Sequence, residues 1–282
     1  YWYFSVSMFR FSDQVWKGMQ MTEVMTLLKS ATGHALVKSF SGTDLTQQPF
    51  STGKLFNVSE EPVSDLQSLS ALLQRLESDP KHTVIRGALS DGQNSPVPRK
   101  LEYFTATPRQ WCMIDIDSLA WDGDVSDQQE MVSYAIQQLP AEFQSADCWY
   151  HLSSSMGIKA GIRLHLWFWL DRSCSDDEMK VWLSNCPVDQ RLFNPIQIHL
   201  TANPQFRDGA VDPYPNRSGL FEAGTGISTV TVPSDLAFRS AVASRSSKQR
   251  TRGKSGLLDP ADIIRDPDTG LAIDGREQLM FL

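Results

Sequence analysis

Two aspartates stand one residue apart at the end of the apolar run "WCMIDID", residues 111–117. In a strand, alternate side chains share a face, so Asp115 and Asp117 point one way while Cys112, Ile114 and Ile116 point the other. Like charges so close repel unless something positive lies between them. A divalent cation supplies that charge; solvation at a strand end, or pairing with arginines, is the alternative. A second stretch with chemical content is "HLSSSMGIKAGIRLHLWFWLD", residues 151–171. Read as a strand from Ile162, it places Ile162, Leu164, Leu166, Phe168 and Leu170 on one face and Arg163, His165, Trp167 and Trp169 on the other. The loop before it carries Ser155, Lys159 and two glycines, with hydroxyls and backbone donors suited to a polyphosphate. Taken alone, His165 reads better as a satisfied core histidine, with the tryptophans as a packing layer. A third acid follows in "CPVDQRLFNPIQIHL" as Asp189, or in "AVDPYPNRSGL" as Asp212. Asp189 comes directly after an apolar residue and leads into an ordered run. Asp212 precedes Pro213 in a segment rich in turn formers, so Asp189 is preferred. Three carboxylates are what a two-metal phosphoryl-transfer site requires.

These residues need elements to hold them. From Tyr103 to about Val232 the pattern alternates strands and helices: "WCMIDID" as a strand, "SDQQEMVSYAIQQLP" as a helix capped by Ser126, "ADCWYHLSSS" and "GIRLHLWFWLD" as two strands, and "SDDEMKVWLSNCP" as a second capped helix. This β, α, β, β, α order predicts one sheet with helices against one face. Upstream, "FSDQVWKGMQMTEVMTLLKSATG" has apolar residues near helical spacing and predicts a helix ending at Gly33. "ALVKSFSG" and "HTVIRGAL" predict strands, and "SDLQSLSALLQRLESDP" predicts a helix capped by Ser64 or Asp65. The expected organisation is an N-terminal α/β subdomain over residues 1–102, a core over 103–240, a basic linker over 241–256, and the start of a C-terminal accessory or helicase-linking region over 257–282. In the linker, Lys248, Arg250, Arg252 and Lys254 are expected to touch nucleic-acid phosphates.

Composition narrows the function classes. The 282 residues are 41% hydrophobic, enough for a sizeable core, and the formal net charge of −7 argues against a general nucleic-acid coat while leaving room for a basic cleft. No window approaches the roughly 18 apolar residues of a membrane span, and the N-terminus lacks a secretory pattern, so a cytoplasmic protein without membrane contact is expected. The four cysteines, Cys112, Cys148, Cys174 and Cys186, are too far apart for a zinc knuckle, and no zinc is expected.

An apolar strand ending Asp-x-Asp, then a serine-rich loop leading to a histidine within an apolar strand, then an apolar residue followed by Asp, resembles the three motifs of the archaeo-eukaryotic primase superfamily. The likeness is in particular to the primase-polymerases of plasmids, phages and integrated elements. "WCMIDID", "SSSMGIKAGIRLHLWFWL" and "VDQRLF" carry the resemblance, over roughly Tyr103 to Val232. It implies an α+β fold with an RRM-like core, and a DNA primase or DNA-directed polymerase acting on a single-stranded DNA template with NTP or dNTP. It also implies two Mg²⁺ or Mn²⁺ ions held by Asp115, Asp117 and Asp189, and His165 at the incoming triphosphate, with Ser155, Lys159 and Arg163 beside it. A helicase domain or partner would follow the core. The loop before His165 is longer than the usual short form, and no cysteine cluster supplies the zinc stem of some relatives. A non-catalytic single-stranded nucleic-acid-binding module of the same fold and a metal-dependent nuclease are the rival readings.

Overall fold

The computed structural model describes residues 23–252, with side chains described as far as residue 244. Strand β1 (Glu23–Ser30) is followed by the short β2 (Ser39–Ser41) and β3 (Thr46–Gln47), then by β4 (Leu55–Val63) and helix α1 (Leu66–Leu76). Short strands β5 (His82–Ile85), β6 (Ala88–Leu89), β7 (Val97–Pro98) and β8 (Phe104–Thr105) complete the first part. Strands β5, β1, β4 and β7 form an antiparallel sheet in that order. Asp65 caps α1 by accepting from the Ser68 N–H at 2.7 Å, and its leucines 66, 69, 72, 73 and 76 are buried along one stripe.

The expected helix up to Gly33 is a strand where it is described, over Glu23–Ser30; residues 11–22 of that stretch lie outside the described residues. The reason is burial on both faces. Met25 and Leu27 enter the core beneath α1, while Leu28 enters a second cluster with Phe56 and Ile85 on the far side of the sheet. A strand buried on both faces has no period-two signature, and its apolar run imitates a helix. The "HTVIRGAL" strand is broken after Ile85, because Gly87 passes so close to Pro195 that a Cβ there would lie 2.6 Å from its carbonyl oxygen. Of "ALVKSFSG", only residues 39–41 pair as a strand.

The second part begins with β9 (Arg109–Leu119). Helices α2 (Gln128–Gln137) and α3 (Ala141–Gln144) lead to β10 (Cys148–Leu152), β11 (Ile162–Cys174) and α4 (Asp176–Trp182). A 3₁₀ turn (Gln190–Leu192), β12 (Gln205–Arg207), β13 (Ser218–Phe221) and α5 (Leu236–Arg252) follow. The sheet runs β13, β10, β11, β9, with every neighbouring pair antiparallel, so the fold is α+β. Strands β9, β11 and β10 form a split βαβ arrangement, and β13 joins at the outer edge of β10. Helix α2 is capped by Asp127 rather than Ser126, and Ser175 caps α4 through a reciprocal pair with Glu178.

Strand alternation sorts the sheet into two faces. Ile114, Ile116, Leu164, Leu166 and Phe168 lie with Val132, Ile136, Phe143 and Met179 in one core, against the helices α2, α3 and α4. Trp111, Met113, Trp149, Trp167 and Trp169 lie in another, with α1 and β1. Two buried arginines fasten the parts together. Arg86 donates to the carbonyls of Trp111 and Cys174 and pairs with Asp176 at 2.6 Å, and Arg109 donates to Thr26 Oγ1 and the Arg86 carbonyl. The chain also returns to the first part after the 3₁₀ turn: His199 bridges to Val84 and β12 pairs in parallel with β2. The first part thus reaches past the boundary expected at residue 102, since β8 pairs with β6, and residues 199–207 pair back with it. The segment expected as a linker is helical up to Arg252, and residues 257–282 lie outside the described residues.

Candidate functional site

The tryptophan face of the second sheet is covered at one end and open at the other. Register fixes the rows: Trp149, Trp167 and Met113 lie side by side on β10, β11 and β9, and the next row of that face is His151, His165 and Asp115. Beyond it Arg163 lies opposite Asp117. The apolar row is under α1 and β1; the two polar rows open into a cleft of about 320 Å³. Asp115, Asp117, Asp189, Ser155, Lys159, Arg163 and His165, seven residues expected from the sequence, all line that cleft.

Asp189 reaches it through the backbone. Its N–H donates to the Asp115 carbonyl at 3.0 Å, which sets the start of the 3₁₀ turn against β9, and its side chain caps that turn by accepting from the Arg191 N–H at 2.9 Å. Asp212 is elsewhere, paired with the buried Arg217 at 2.9 Å and 2.5 Å. Arg217 also donates to the Ser153 carbonyl, so Asp212 braces the serine loop from behind. The two loop glycines serve packing: a Cβ on Gly157 would lie 2.7 Å from the Tyr214 ring, and one on Gly161 would lie 2.8 Å from the Leu119 carbonyl oxygen, both at positive φ. The loop they shape holds Ser155 and Lys159 at the cleft wall.

Charges in the cleft are unevenly balanced. Arg163 is bonded to the Asp117 carboxylate and the Ser118 hydroxyl, and Arg191 holds Asp189 at 2.7 Å, keeping its carboxyl below the usual range. Asp115 has no such partner. Burial, reinforced by the neighbouring Asp117 and Asp189 carboxylates, pushes its carboxyl up to about 7. His165 Nε2 is 3.7 Å from Asp115, and burial lowers this imidazole to about 4, so it faces the carboxylate as a neutral ring. Its Nδ1 is buried without a hydrogen-bond partner. Behind it, His151 packs edge-on at 5.9 Å and is held by Asn203 at 2.8 Å.

As the side chains stand, the described residues hold no group of three or more His, Cys, Asp or Glu gathered around one point as a metal would require. The donor set nevertheless suits a hard cation: carboxylates are the ligands Mg²⁺ and Mn²⁺ prefer, and burial together with the Asp117 and Asp189 charges outweighs the nearby Lys38 and Arg163 at Asp115. The cysteines are all free, three of them buried. Lys248, Arg250 and Arg252 lie where only the helical backbone is described, and Lys254 lies outside the described residues. No helix among the described residues is long and apolar enough to cross a membrane.

Sequence reading missed Lys38, Phe50, Thr52 and Gln197, which also line the cleft. Lys38 carried a signal as a lone charge inside the apolar run "ALVKSF", and its charge opposes protonation of both Asp115 and His165. His151 was also legible, because it alternates with Trp149 onto the same face.

No family model matches the chain. Over 228 residues it is 26% identical to a putative replication origin binding protein of Escherichia phage T5, an alignment covering 73% of this chain and 24% of that protein. The chain thus spans about a quarter of the length of this curated relative. Among solved structures, the AEP domain of the cyanophage S-2L primase-polymerase (PrimPol) aligns over 73% of this chain and 84% of its own, at 11% identity and a TM-score of 0.32.

Proposed function

We propose that the chain is a nucleotidyltransferase of the archaeo-eukaryotic primase type, which makes or extends primers on single-stranded DNA. The observation that carries this reading is the convergence of Asp115, Asp117 and Asp189 with His165, Lys159 and Ser155 in one cleft, from four separate elements. Acids alone would suit a nuclease equally; acids facing a basic, hydroxyl-bearing loop suit the transfer of a nucleotide from its triphosphate.

In this reading Asp115, Asp117 and Asp189 would hold two Mg²⁺ or Mn²⁺ ions, which would supply neutralisation of triphosphate charge and activation of the attacking hydroxyl. To do so Asp117 and Asp189 would give up their pairing with Arg163 and Arg191, and Arg163 would then be free to meet the phosphates beside Lys159. A neutral His165 donates a hydrogen bond from its ring N–H to a phosphate oxygen. Met113 lines the cleft, and the buried Trp167 and Trp149 beside it continue an apolar row that limits water behind the reacting atoms. The template lies along the open end of the sheet, with the basic C-terminal segment adding phosphate contacts.

A second reading is a single-stranded DNA-binding module without chemistry. It is favoured by the arginine pairing that already neutralises two of the three acids. One experiment separates the readings: the protein is incubated with single-stranded DNA, labelled nucleotides and Mg²⁺ or Mn²⁺, with and without a primer. Unprimed products indicate a primase and primed products alone a polymerase. Binding of DNA without any incorporation would leave the module.

A further inference from the structure

Three cations line the cleft and a fourth, Arg191, holds one of its acids from outside, so two of the four are already engaged. Arg163 is committed to Asp117 and Arg191 to Asp189, whereas Lys38 and Lys159 pair with no carboxylate among the described residues. They reach the cleft from different parts of the chain, Lys159 from the serine loop and Lys38 from the segment leading into β2. The backbone of Lys38 is fixed on both sides. Leu36 and Phe40 are buried, the Lys38 carbonyl accepts from the Gln205 N–H at 3.0 Å, and the Phe40 ring stacks on Phe206 at 5.5 Å between centroids. A half-buried amine on so rigid a root, lining the cleft near the Asp115 carboxylate but in no salt bridge among the described residues, is suited to a ligand that brings further negative charge.

We infer that Lys38 is a positioning residue for the triphosphate of the incoming nucleotide, so that the polyphosphate is held between Lys38 on one wall and the Lys159 loop on the other. This rests on the nucleotidyl-transfer reading and extends it, giving the segment that leads into β2 a direct part in substrate binding. A base or a sugar offers an ammonium group little, whereas a triphosphate carries several charged oxygens that two amines can share. Phosphates of a DNA strand have the same chemistry, and the measurement has to separate the two sources.

The test compares wild type, Lys38→Ala and Lys38→Arg in equilibrium titrations. The ligands are dATP and ATP with Mg²⁺, inorganic tripolyphosphate, AMP, and a single-stranded oligonucleotide. Loss of one charge-assisted contact corresponds to about 10- to 100-fold in affinity. Lys38→Ala is expected to weaken dATP, ATP and tripolyphosphate by that factor and AMP by less, with oligonucleotide binding unchanged. Lys38→Arg should recover most of the loss, and in primer extension the change should fall on KM rather than kcat. An unchanged triphosphate affinity in folded Lys38→Ala would overturn the inference, as would an equal or larger loss for the oligonucleotide. Should Lys38→Ala melt early, Lys38→Met keeps the stem and is read instead. A wild-type protein that binds triphosphate without incorporating it would refute the polymerase reading while leaving the Lys38 result to stand; one that binds no triphosphate overturns both.

Discussion

Replacing Asp115 with asparagine should make the metal-free protein more stable at alkaline pH, although it removes a residue assigned to the reaction. The Asp115 carboxyl is raised from 3.8 to about 7 by burial and by the Asp117 and Asp189 charges. The folded protein therefore keeps a proton that the unfolded chain loses near pH 4, so folding is penalised progressively from about pH 4 to about pH 7 and fully above that. A difference of about three pH units corresponds to about 4 kcal/mol. The side chain is 23% exposed at the cleft wall, so water returns part of that cost and the remaining penalty is on the order of 2 kcal/mol. The asparagine amide carries no charge and avoids it. For a unit of this size the melting temperature of Asp115→Asn should exceed wild type by about 4–8 °C at pH 8 in chelator. The advantage should vanish near pH 4, where both proteins are uncharged at this position. Adding Mg²⁺ or Mn²⁺ at pH 8 should raise the wild-type midpoint and leave the variant unmoved, while primer extension by the variant is abolished. Paired thermal scans across this pH range measure all of it. A variant less stable than wild type at pH 8, or a difference that does not depend on pH, would refute the account of Asp115 as an acid whose charge is disfavoured by burial and its neighbouring carboxylates.

Asp189 and Asp212 should separate cleanly. Asp212→Ala strands the buried Arg217 and should cost about 3 kcal/mol of stability, while Asp189→Ala loses a cap worth about 1 kcal/mol. Incorporation assayed below both melting points should disappear for Asp189→Ala and persist for Asp212→Ala, and the reverse order would exchange their roles. His165→Asn should weaken dATP binding more than oligonucleotide binding in separate titrations; equal losses would mark a structural histidine. Neutralising Lys248, Arg250, Arg252 and Lys254 together should flatten the salt dependence of oligonucleotide affinity and leave kcat unchanged, and an unaltered slope would remove the segment from the DNA path.

Local rules made much of the site legible in the sequence. Period-two alternation put Asp115 and Asp117 on one face of β9, and Arg163 and His165 on one face of β11, because a strand gives its side chains no other choice. Asp65 and Ser175 marked helix starts because a cap is made by the first turn itself. The preference for Asp189 over Asp212 rested on apolar context and turn chemistry; Asp189 lines the cleft, and Asp212 is held outside it by the buried Arg217, a pairing that turn chemistry did not announce. Tertiary structure decided the rest. Strand β1 imitated a helix because its two buried faces belong to different cores, a fact about neighbours distant in the chain. The registers that set His165 beside Asp115 and His151, and Asp117 against Arg163, come from pairing between strands rather than from any one of them. Lys38 is separated from Asp115 by most of the first sheet in sequence, and it joins the cleft because β2 is tied to β12 by a parallel pairing that no local pattern announces. Spacing fixes which side chains share a face; which faces meet, and which charges remain unpaired there, depends on long-range packing and the solvent it excludes.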